Sequence, residues 1–131
     1  MNRFRSINRK GLFLILCVII GFASYFWLRT ALTRQSKITL GFALAYDLGS
    51  YTAANDSTMP RSWSEFENWC KNSNRRHWNA IDLERQFVLA WGLKLTEANK
   101  RVLIMPIDSD YIPYQEALNE TLWRIGYTSK Q

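Results

Sequence analysis

Few side chains in this chain have the chemistry that catalysis requires. There is one histidine, His77, and there are two cysteines, Cys17 and Cys70. Nucleophilic catalysis needs a serine or cysteine beside a base, with a third group that orients the base. The segment around the histidine, Asn74-Arg-Arg-His-Trp78, is typical of a polar loop and provides no such context. We therefore expect no enzyme activity.

Metal and cofactor sites need more ligands than the sequence offers. The histidine and cysteine count is too low for the usual zinc sites. Asp108 and Asp110 are only two carboxylates, whereas a calcium site takes six or more oxygens, so a turn with a helix-capping aspartate is the better interpretation. No glycine-rich phosphate loop is present, and Arg75-Arg76 is too short a basic patch for nucleic acid. We predict no metal, no cofactor and no nucleic-acid partner.

Residues 11–28 form an uncharged apolar segment of 18 residues. As a helix this segment is about 27 Å long, close to the roughly 30 Å of the hydrocarbon core of a bilayer. Tyr25 and Trp27 lie at its end, where amphipathic rings favour the membrane interface, and Arg29 follows to reach the headgroups. We predict a transmembrane helix, with these three residues as its interface anchors and membrane lipid as a partner.

Two alternatives compete with a retained membrane anchor. A cleaved signal peptide usually has an apolar region of about 7–15 residues followed by small residues. The present segment is longer, and the small residues at Ala43-Leu-Ala45 lie too far beyond it. A buried helix of a soluble protein keeps a polar face, which residues 11–28 lack. The retained anchor is favoured.

The excess positive charge is confined to the segment around the predicted anchor. The first 37 residues hold seven bases and no acid, and the remaining 94 hold ten bases and eleven acids, so the net charge of +6 is +7 and −1. This distribution indicates membrane topology and anionic lipid. Four bases precede the apolar segment and three follow it, which favours a cytoplasmic N-terminus. We predict a single-pass protein of the cell (inner) membrane with an extracytoplasmic C-terminal domain.

Four regions are predicted from these patterns: a basic cytoplasmic leader at 1–10, the transmembrane helix at 11–28, a helical extension at 29–57 and a small α+β domain at 58–131. Apolar residues recur at spacings of three and four from residue 38 to residue 54, which is typical of a helix. Cys17 lies within the predicted span and Cys70 outside it, so they cannot form a disulfide.

The elements of the domain are predicted from capping and periodicity. Ser62-Trp-Ser-Glu65 is a capping box that opens a helix with Trp63, Phe66, Trp69 and Cys70 on one face. Residues 87–95 are apolar at alternate positions, as in a half-buried strand. A polar turn at 96–100 and a second strand at 101–107 complete an antiparallel hairpin, in which Pro106 marks an edge or an end.

A last helix is predicted from Pro113, which suits a first helical position, to Gly126. Its apolar stripe consists of Tyr114, Ala117, Leu118, Leu122 and Ile125. The fold class is α+β: a long N-terminal helix, a short helix, a hairpin and a C-terminal helix. Six tryptophans could form a stacking surface for sugars or bases, but in a small domain they more often supply core area.

The order of these features resembles that of type IV pilin-like proteins, especially type II secretion pseudopilins. In that family a basic leader ends in glycine, where a dedicated peptidase cuts, and a long helix follows. Lys10-Gly11-Leu12 is similar to that junction, and residues 43–51, followed by Asn55-Asp56 and Pro60, are similar to the end of the family's helix and the loop after it. The resemblance implies cleavage after Gly11 and assembly with other protein subunits.

Two positions depart from the family pattern. The family normally carries Glu five residues after the cut, where it helps recruit subunits, and this chain has Leu16. Leu12 also replaces the usual aromatic residue or Met at the new N-terminus.

We expect a non-enzymatic, membrane-anchored subunit that binds other proteins, with a pseudopilin-like filament component as its most specific version. An anchored accessory or adaptor subunit of a membrane complex is the first alternative. A membrane-tethered ligand-binding or hydrolytic domain is the second.

Overall fold

The computed structural model describes residues 9–108 and 112–128 of the chain. In this part of the chain the elements follow in the order α1 (Arg9–Ala54), α2 (Trp63–Asn72), α3 (Ala80–Gln86), β1 (Phe87–Leu89), a 3₁₀ turn (Glu97–Asn99), β2 (Ile104–Pro106) and α4 (Ile112–Thr128). This order confirms the predicted α+β class. The chain divides into two compact units, Met1–Lys37 and Ile38–Gln131, and the second unit contains the hydrophobic core.

The surroundings of α1 change along its length. Its side chains are exposed up to Lys37, whereas one face is buried from residue 41 onward. The helix ends at Ala54, after which Asp56 and Ser57 both take a left-handed φ of 58°. The predicted spacing of three and four is confirmed, because the buried apolar side chains of α1 are Leu44, Ala45, Leu48 and Tyr51.

α1 and α4 pack closely because glycine lies at their contacts. A β-carbon at Gly49 would lie 2.8 Å from the Ile125 Cβ, and one at Gly126 would lie 3.0 Å from the Thr52 Cβ. Non-bonded carbons prefer about 3.5–4.0 Å, so a larger residue at either position would force the helices apart. The prediction that Gly126 ends the last helix is wrong. α4 continues to Thr128, since this glycine serves the helix contact.

The start of α2 differs in one respect from the predicted capping box. The Ser62 hydroxyl accepts a hydrogen bond from the Glu65 backbone N–H at 3.1 Å, as predicted. The Glu65 carboxylate, however, accepts from the Arg61 backbone N–H at 2.8 Å and from the Tyr51 hydroxyl at 2.7 Å. It therefore ties α2 to α1 instead of closing a reciprocal box with Ser62. On the predicted apolar face Trp63, Phe66 and Cys70 are buried and Trp69 is half-buried.

α3 is not among the elements that the sequence predicts. Asn79 caps it, accepting hydrogen bonds from the backbone N–H groups of Ile81 at 3.0 Å and Asp82 at 3.2 Å. Among its own seven residues only Leu83 is buried. A short helix with one buried side chain has no apolar period, which explains why periodicity does not reveal it.

The two strands pair antiparallel, as predicted, with Val88 opposite Met105. Each strand has three residues, so the predicted strands at 87–95 and 101–107 are too long. Pro106 is the last residue of β2, which confirms that it marks an end of the strand. The residues between the strands include the predicted polar turn, within which Glu97–Asn99 forms the 3₁₀ turn.

The apolar residues that alternate beyond Leu89 belong to a segment that pairs with a different part of the chain from the one predicted. Gly92 takes a left-handed φ of 62°, and the chain after it pairs with the segment that follows α1. The Met59 N–H donates to the Leu93 carbonyl at 2.8 Å, and the Leu95 N–H donates to the Ser57 carbonyl at 2.7 Å. The alternation of apolar residues is therefore that of extended chain, but in two successive pairings. Residues 87–89 pair with β2, and residues 93–95 pair with residues 57–59.

Asn119 of α4 holds the outer edge of β2. Its side-chain oxygen accepts from the N–H groups of Leu103 at 2.7 Å and Ile104 at 2.9 Å. Its side-chain nitrogen donates to the carbonyls of Ile104 at 2.9 Å and Gln115 at 2.8 Å. Asn119 is buried, so these bonds satisfy strand groups that would otherwise lack partners.

The tryptophans mostly supply core area, as predicted. Trp63, Trp78 and Trp123 are buried and Trp69 is half-buried, whereas Trp91 and Trp27 are exposed. The predicted stripe of α4 is also confirmed, since Leu118 and Leu122 are fully buried and Tyr114, Ala117 and Ile125 are half-buried.

Candidate functional site

The apolar segment of α1 is the most unusual surface of the chain. Its large apolar side chains from Leu12 to Leu28 are between 53% and 75% exposed. Within the described residues, α1 is the one helix long and apolar enough to cross a membrane. In water such a surface would be strongly unfavourable, whereas in a bilayer the helix satisfies its own backbone groups and its side chains contact lipid. This segment is compatible with a single-pass membrane helix.

The predicted interface anchors lie together at one end of this segment. Tyr25, Trp27 and Arg29 are all exposed and fall within two turns of α1. In the same turns the hydroxyls of Thr30 and Thr33 donate to the carbonyls of the residues four positions earlier, each at 2.9 Å. The hydroxyl groups of these threonines therefore have hydrogen-bond partners within the helix, next to Arg29, the first charged residue after the apolar segment.

The predicted processing residues lie in the first turn of the same helix. Lys10 and Leu12 are exposed, and a β-carbon at Gly11 would meet no atom within 4 Å. Cleavage after Gly11 stays a prediction.

A buried carboxylate joins α1 to the loop between α2 and α3. Asp47 is 8% exposed and accepts a hydrogen bond from the Trp78 indole N–H at 2.8 Å. The Arg75 guanidinium forms an ion pair with it at 3.4 Å and lies over the Trp69 ring, 5.3 Å from its centroid. This cluster is not among the predicted sites, although an acid within the apolar stripe of α1 is a usable signal for Asp47.

The cysteine and histidine that nucleophilic chemistry would use have different surroundings. Cys70 is buried, and burial together with the negative charge of Asp47 raises its pKa to about 12, although Arg75 acts in the opposite direction. At neutral pH its thiol is protonated and unreactive, so Cys70 serves as a small buried hydrophobic side chain. His77 is exposed in the loop before α3, as predicted.

The Tyr51–Glu65 hydrogen bond is a second polar contact between helices, and it joins the buried Tyr51 to the exposed Glu65. Burial and the hydrogen bond to Glu65 raise the pKa of Tyr51 to about 12. The same bond, with the Arg61 backbone N–H, lowers the pKa of Glu65. The phenol also packs edge-on against the rings of Phe66 and Trp69. This polar contact joins helices and is not arranged around a reacting atom.

Metal-binding side chains do not cluster in the described ranges 9–108 and 112–128, where no group of three His, Cys, Asp or Glu could hold an ion. Asp108 is exposed at the end of the first range. Asp110, its predicted companion in a turn, lies outside the described residues.

An exposed apolar face covers the outer side of the hairpin. Val88 and Met105, which are paired across the strands, are 46% and 47% exposed. Val102 and Ile107 add exposed apolar area beside them. Val88, Val102 and Met105, together with Arg101 and Gln115, line a shallow hollow of about 240 Å³. We refer to Val88, Val102, Met105 and Ile107 as the hairpin face.

Comparison with known proteins gives no match. No family model matches the chain, no curated protein matches its sequence, and no solved structure matches its fold.

The raised pKa values of Cys70 and Tyr51 predict loss of stability at alkaline pH. Their ordinary values are 9.0 and 10.0, and both rise to about 12 in the folded protein. The folded state holds these protons more tightly, so the stabilisation is complete below pH 9 and is lost as pH rises towards 12. Each group adds up to about 1.4 kcal/mol per pH unit to the loss.

Denaturant unfolding of the full chain in detergent, followed by tryptophan fluorescence from pH 8 to pH 12, measures this dependence. Tyr51→Phe should flatten the curve above pH 10 while keeping the ring contacts. Tyr46→Phe, at an exposed position of the same helix, is the control and should leave the slope unchanged. Equal slopes for Tyr51→Phe and the unaltered protein would contradict the prediction.

Proposed function

We propose that this protein is a single-pass membrane protein whose α+β unit lies outside the cytoplasm and binds other proteins without catalysing a reaction. The uncharged, exposed segment at residues 11–28 of α1 carries this proposal. A chain with such a segment is most stable with it in lipid, because burial of apolar surface stabilises by roughly 25 cal/mol per Å². The following unit has its own core and does not need the bilayer.

The distribution of charge supports the proposed orientation. Four bases precede the apolar segment and three follow it, and the first 37 residues contain no acid. Basic residues are retained preferentially on the cytoplasmic side. A cytoplasmic N-terminus in the cell membrane, with the α+β unit on the opposite side, is the orientation that this difference favours.

Two features of the α+β unit support a binding role: its potentially reactive side chains are held in internal contacts, and its hairpin face is exposed and apolar. The side chains that could do chemistry are committed to internal contacts: Asp47 to Trp78 and Arg75, and Tyr51 to Glu65. The hairpin face is instead exposed and apolar. Exposed apolar area of this kind often marks a protein contact, so the hairpin face is the proposed binding surface.

The most specific version of the proposal is a pseudopilin-like subunit of a secretion or pilus-type filament. It is supported by the continuity of α1 from Arg9 to Ala54 and by the antiparallel strands that follow. In this version the helix after Gly11 would pack against sister helices within the membrane.

An accessory or adaptor subunit of a membrane complex is the second candidate. Leu16, at the position where filament subunits of the pilin type normally carry Glu, favours this alternative. In this version the leader is retained and the same hairpin face binds a different membrane protein.

Membrane anchoring is tested with charge inside the span. A lysine at the centre of a transmembrane helix costs about 2.5–3.5 kcal/mol. We expect the unaltered chain to stay in the membrane fraction after a carbonate wash, and Ile19→Lys combined with Ile20→Lys to be released.

The matched control for this experiment is Ile81→Lys combined with Ile112→Lys. These isoleucines are as exposed as the pair in the span, at 62% and 66% against 59% and 57%, but they lie outside it. The control variant should stay in the membrane. Release of the unaltered chain by carbonate would refute the proposal of a membrane anchor.

Protein binding is tested by placing charge on the hairpin face. The full chain, purified in a mild detergent, should retain a stoichiometric protein partner. Val88→Lys combined with Met105→Lys should release that partner, because two ammonium groups cannot be desolvated in an apolar contact. The double variant at Ile81 and Ile112 should retain it. A partner held equally by both double variants would place the contact elsewhere.

The mass of the mature protein separates the two versions. The pseudopilin-like version predicts a chain that begins at Leu12, because its peptidase cuts after Gly11. Intact-mass measurement of protein from its native membrane should then lack residues 1–11, and Gly11→Asp should restore the full mass. An intact leader on the unaltered protein would exclude this version and leave the adaptor version.

A further inference from the structure

The bases that follow the apolar segment are unexpected if charge only sets orientation. Arg29, Arg34 and Lys37 lie at the exit end of the span, and the first 37 residues contain no acid. Because the positive-inside bias opposes bases on that side, these three weaken the orientation that the leader favours. A specific ligand at the exit end would explain why they are there.

Two of these bases share one side of α1 with Trp27. Trp27, Thr30, Arg34 and Lys37 follow one another at spacings of three, four and three residues within a continuous helix. At about 100° and 1.5 Å per residue they fall within an arc of about 80° and a length of about 15 Å. Trp27 is 75% exposed, and Arg34 and Lys37 are also exposed. We call these four residues the basic stripe; Arg29 lies about 140° away from Arg34 and is not part of it.

The depth of the basic stripe matches that of lipid headgroups. For a helix along the bilayer normal with Leu28 at the edge of the hydrocarbon, the Arg34 backbone lies about 9 Å beyond that edge. Helical side chains lean back towards the N-terminus by about one turn, which brings the guanidinium to about 4 Å. The headgroup region is about 5–7 Å deep on each side. Arg34 therefore reaches the level of the phosphate. The same arithmetic puts the Lys37 ammonium about 8 Å beyond the hydrocarbon edge, just past the outer limit of the headgroup region.

The chemistry of the stripe fits a phosphodiester attached to an apolar chain. A guanidinium binds phosphate oxygens in a bidentate manner, and an ammonium adds a second positive charge. The Thr30 hydroxyl already donates to the Phe26 carbonyl at 2.9 Å, so Thr30 contributes only a short side chain between Trp27 and Arg34. Towards the span the same side of the helix continues through Ala23 and Ile20, where an acyl chain can lie.

We propose that the basic stripe binds the headgroup of an anionic glycerophospholipid in the leaflet at the Leu28 end of the span. The phosphate contacts Arg34 and Lys37, the glycerol region contacts the Trp27 indole, and an acyl chain follows Ala23 and Ile20. The inference rests on the proposed membrane anchor and adds a lipid class and a site to it.

Native mass spectrometry of the full chain in detergent tests the site. The protein is titrated with phosphatidylglycerol or phosphatidylcholine of the same acyl chains. We expect the unaltered chain to prefer phosphatidylglycerol, and each base removed from the stripe to reduce that preference about fivefold. Arg34→Gln combined with Lys37→Gln should then reduce it about 25-fold. Equal binding of the two lipids by the unaltered chain would overturn the proposal.

A charge-neutral exchange separates the stripe from net charge. Arg34→Gln combined with Gln35→Arg keeps the composition and depth but moves the guanidinium about 100° around the helix. We expect a loss of about fivefold, as for Arg34→Gln alone. A preference equal to that of the unaltered chain would show that net charge suffices, and the stripe would be refuted.

Two further measurements complete the test. The first identifies the source of the phosphate, and the second separates failure of the membrane anchor from failure of the lipid site alone. Inorganic phosphate at millimolar concentration should not displace phosphatidylglycerol, because it lacks the acyl contacts; displacement would assign a free-phosphate site and overturn the lipid assignment. All variants should remain in the membrane after a carbonate wash. Release of the unaltered chain would defeat the membrane anchor itself, whereas retention without lipid preference would defeat only this inference.

Discussion

The close contact between α1 and α4 is the constraint on which the α+β unit depends. With hydrogen atoms in place of side chains at Gly49 and Gly126, the two backbones approach until the Ile125 and Thr52 β-carbons lie 2.8 Å and 3.0 Å from the positions that added β-carbons would take. That approach brings the fully buried leucines of both helices into one cluster, namely Leu44, Leu48, Leu118 and Leu122. The cost of glycine within a helix, about 1 kcal/mol each relative to alanine, is offset by this packing.

The small hairpin depends in turn on α4. Two strands of three residues are not stable alone in water, and here one of them is hydrogen-bonded through the Asn119 side chain. Asn119 is placed by the same helix whose Gly126 contacts α1, so the strand edge and the helix contact are set by one element. The outer side of the hairpin stays exposed at Val88 and Met105, and this is the side where the proposed partner would bind.

Periodicity and capping in the sequence were sufficient to predict most of the elements, and the errors have identifiable causes. The apolar spacing in α1 and the Ser62 cap of α2 are local signals, and both were correct. The second strand pairing was not predictable, because Leu93 and Leu95 alternate in the same way whether they face β2 or the segment at Ser57 and Met59.

The candidate sites also divide into those that local sequence can predict and those that depend on the fold. The long apolar helix depends on composition alone, so it could be predicted, whereas the interface anchors Tyr25, Trp27 and Arg29 stay a prediction. The acid within the apolar stripe of α1 marks Asp47, but its partners Trp78 and Arg75 are some thirty residues away in the chain, and only the fold brings them together. The role of Gly126 was mistaken for a similar reason, since a glycine that ends a helix and one that allows a close contact look alike in the sequence.

The cysteines of this protein carry a consequence for how it matures. The chain has two cysteines, and both are free: Cys17 in the apolar segment of α1 and Cys70 in the core with a protonated thiol. The fold is held by packing and hydrogen bonds, with no covalent cross-link among the described residues. The α+β unit therefore needs neither an oxidase nor a disulfide isomerase to reach its native state. A reducing agent therefore has no disulfide to break in the part of this unit that the structure describes.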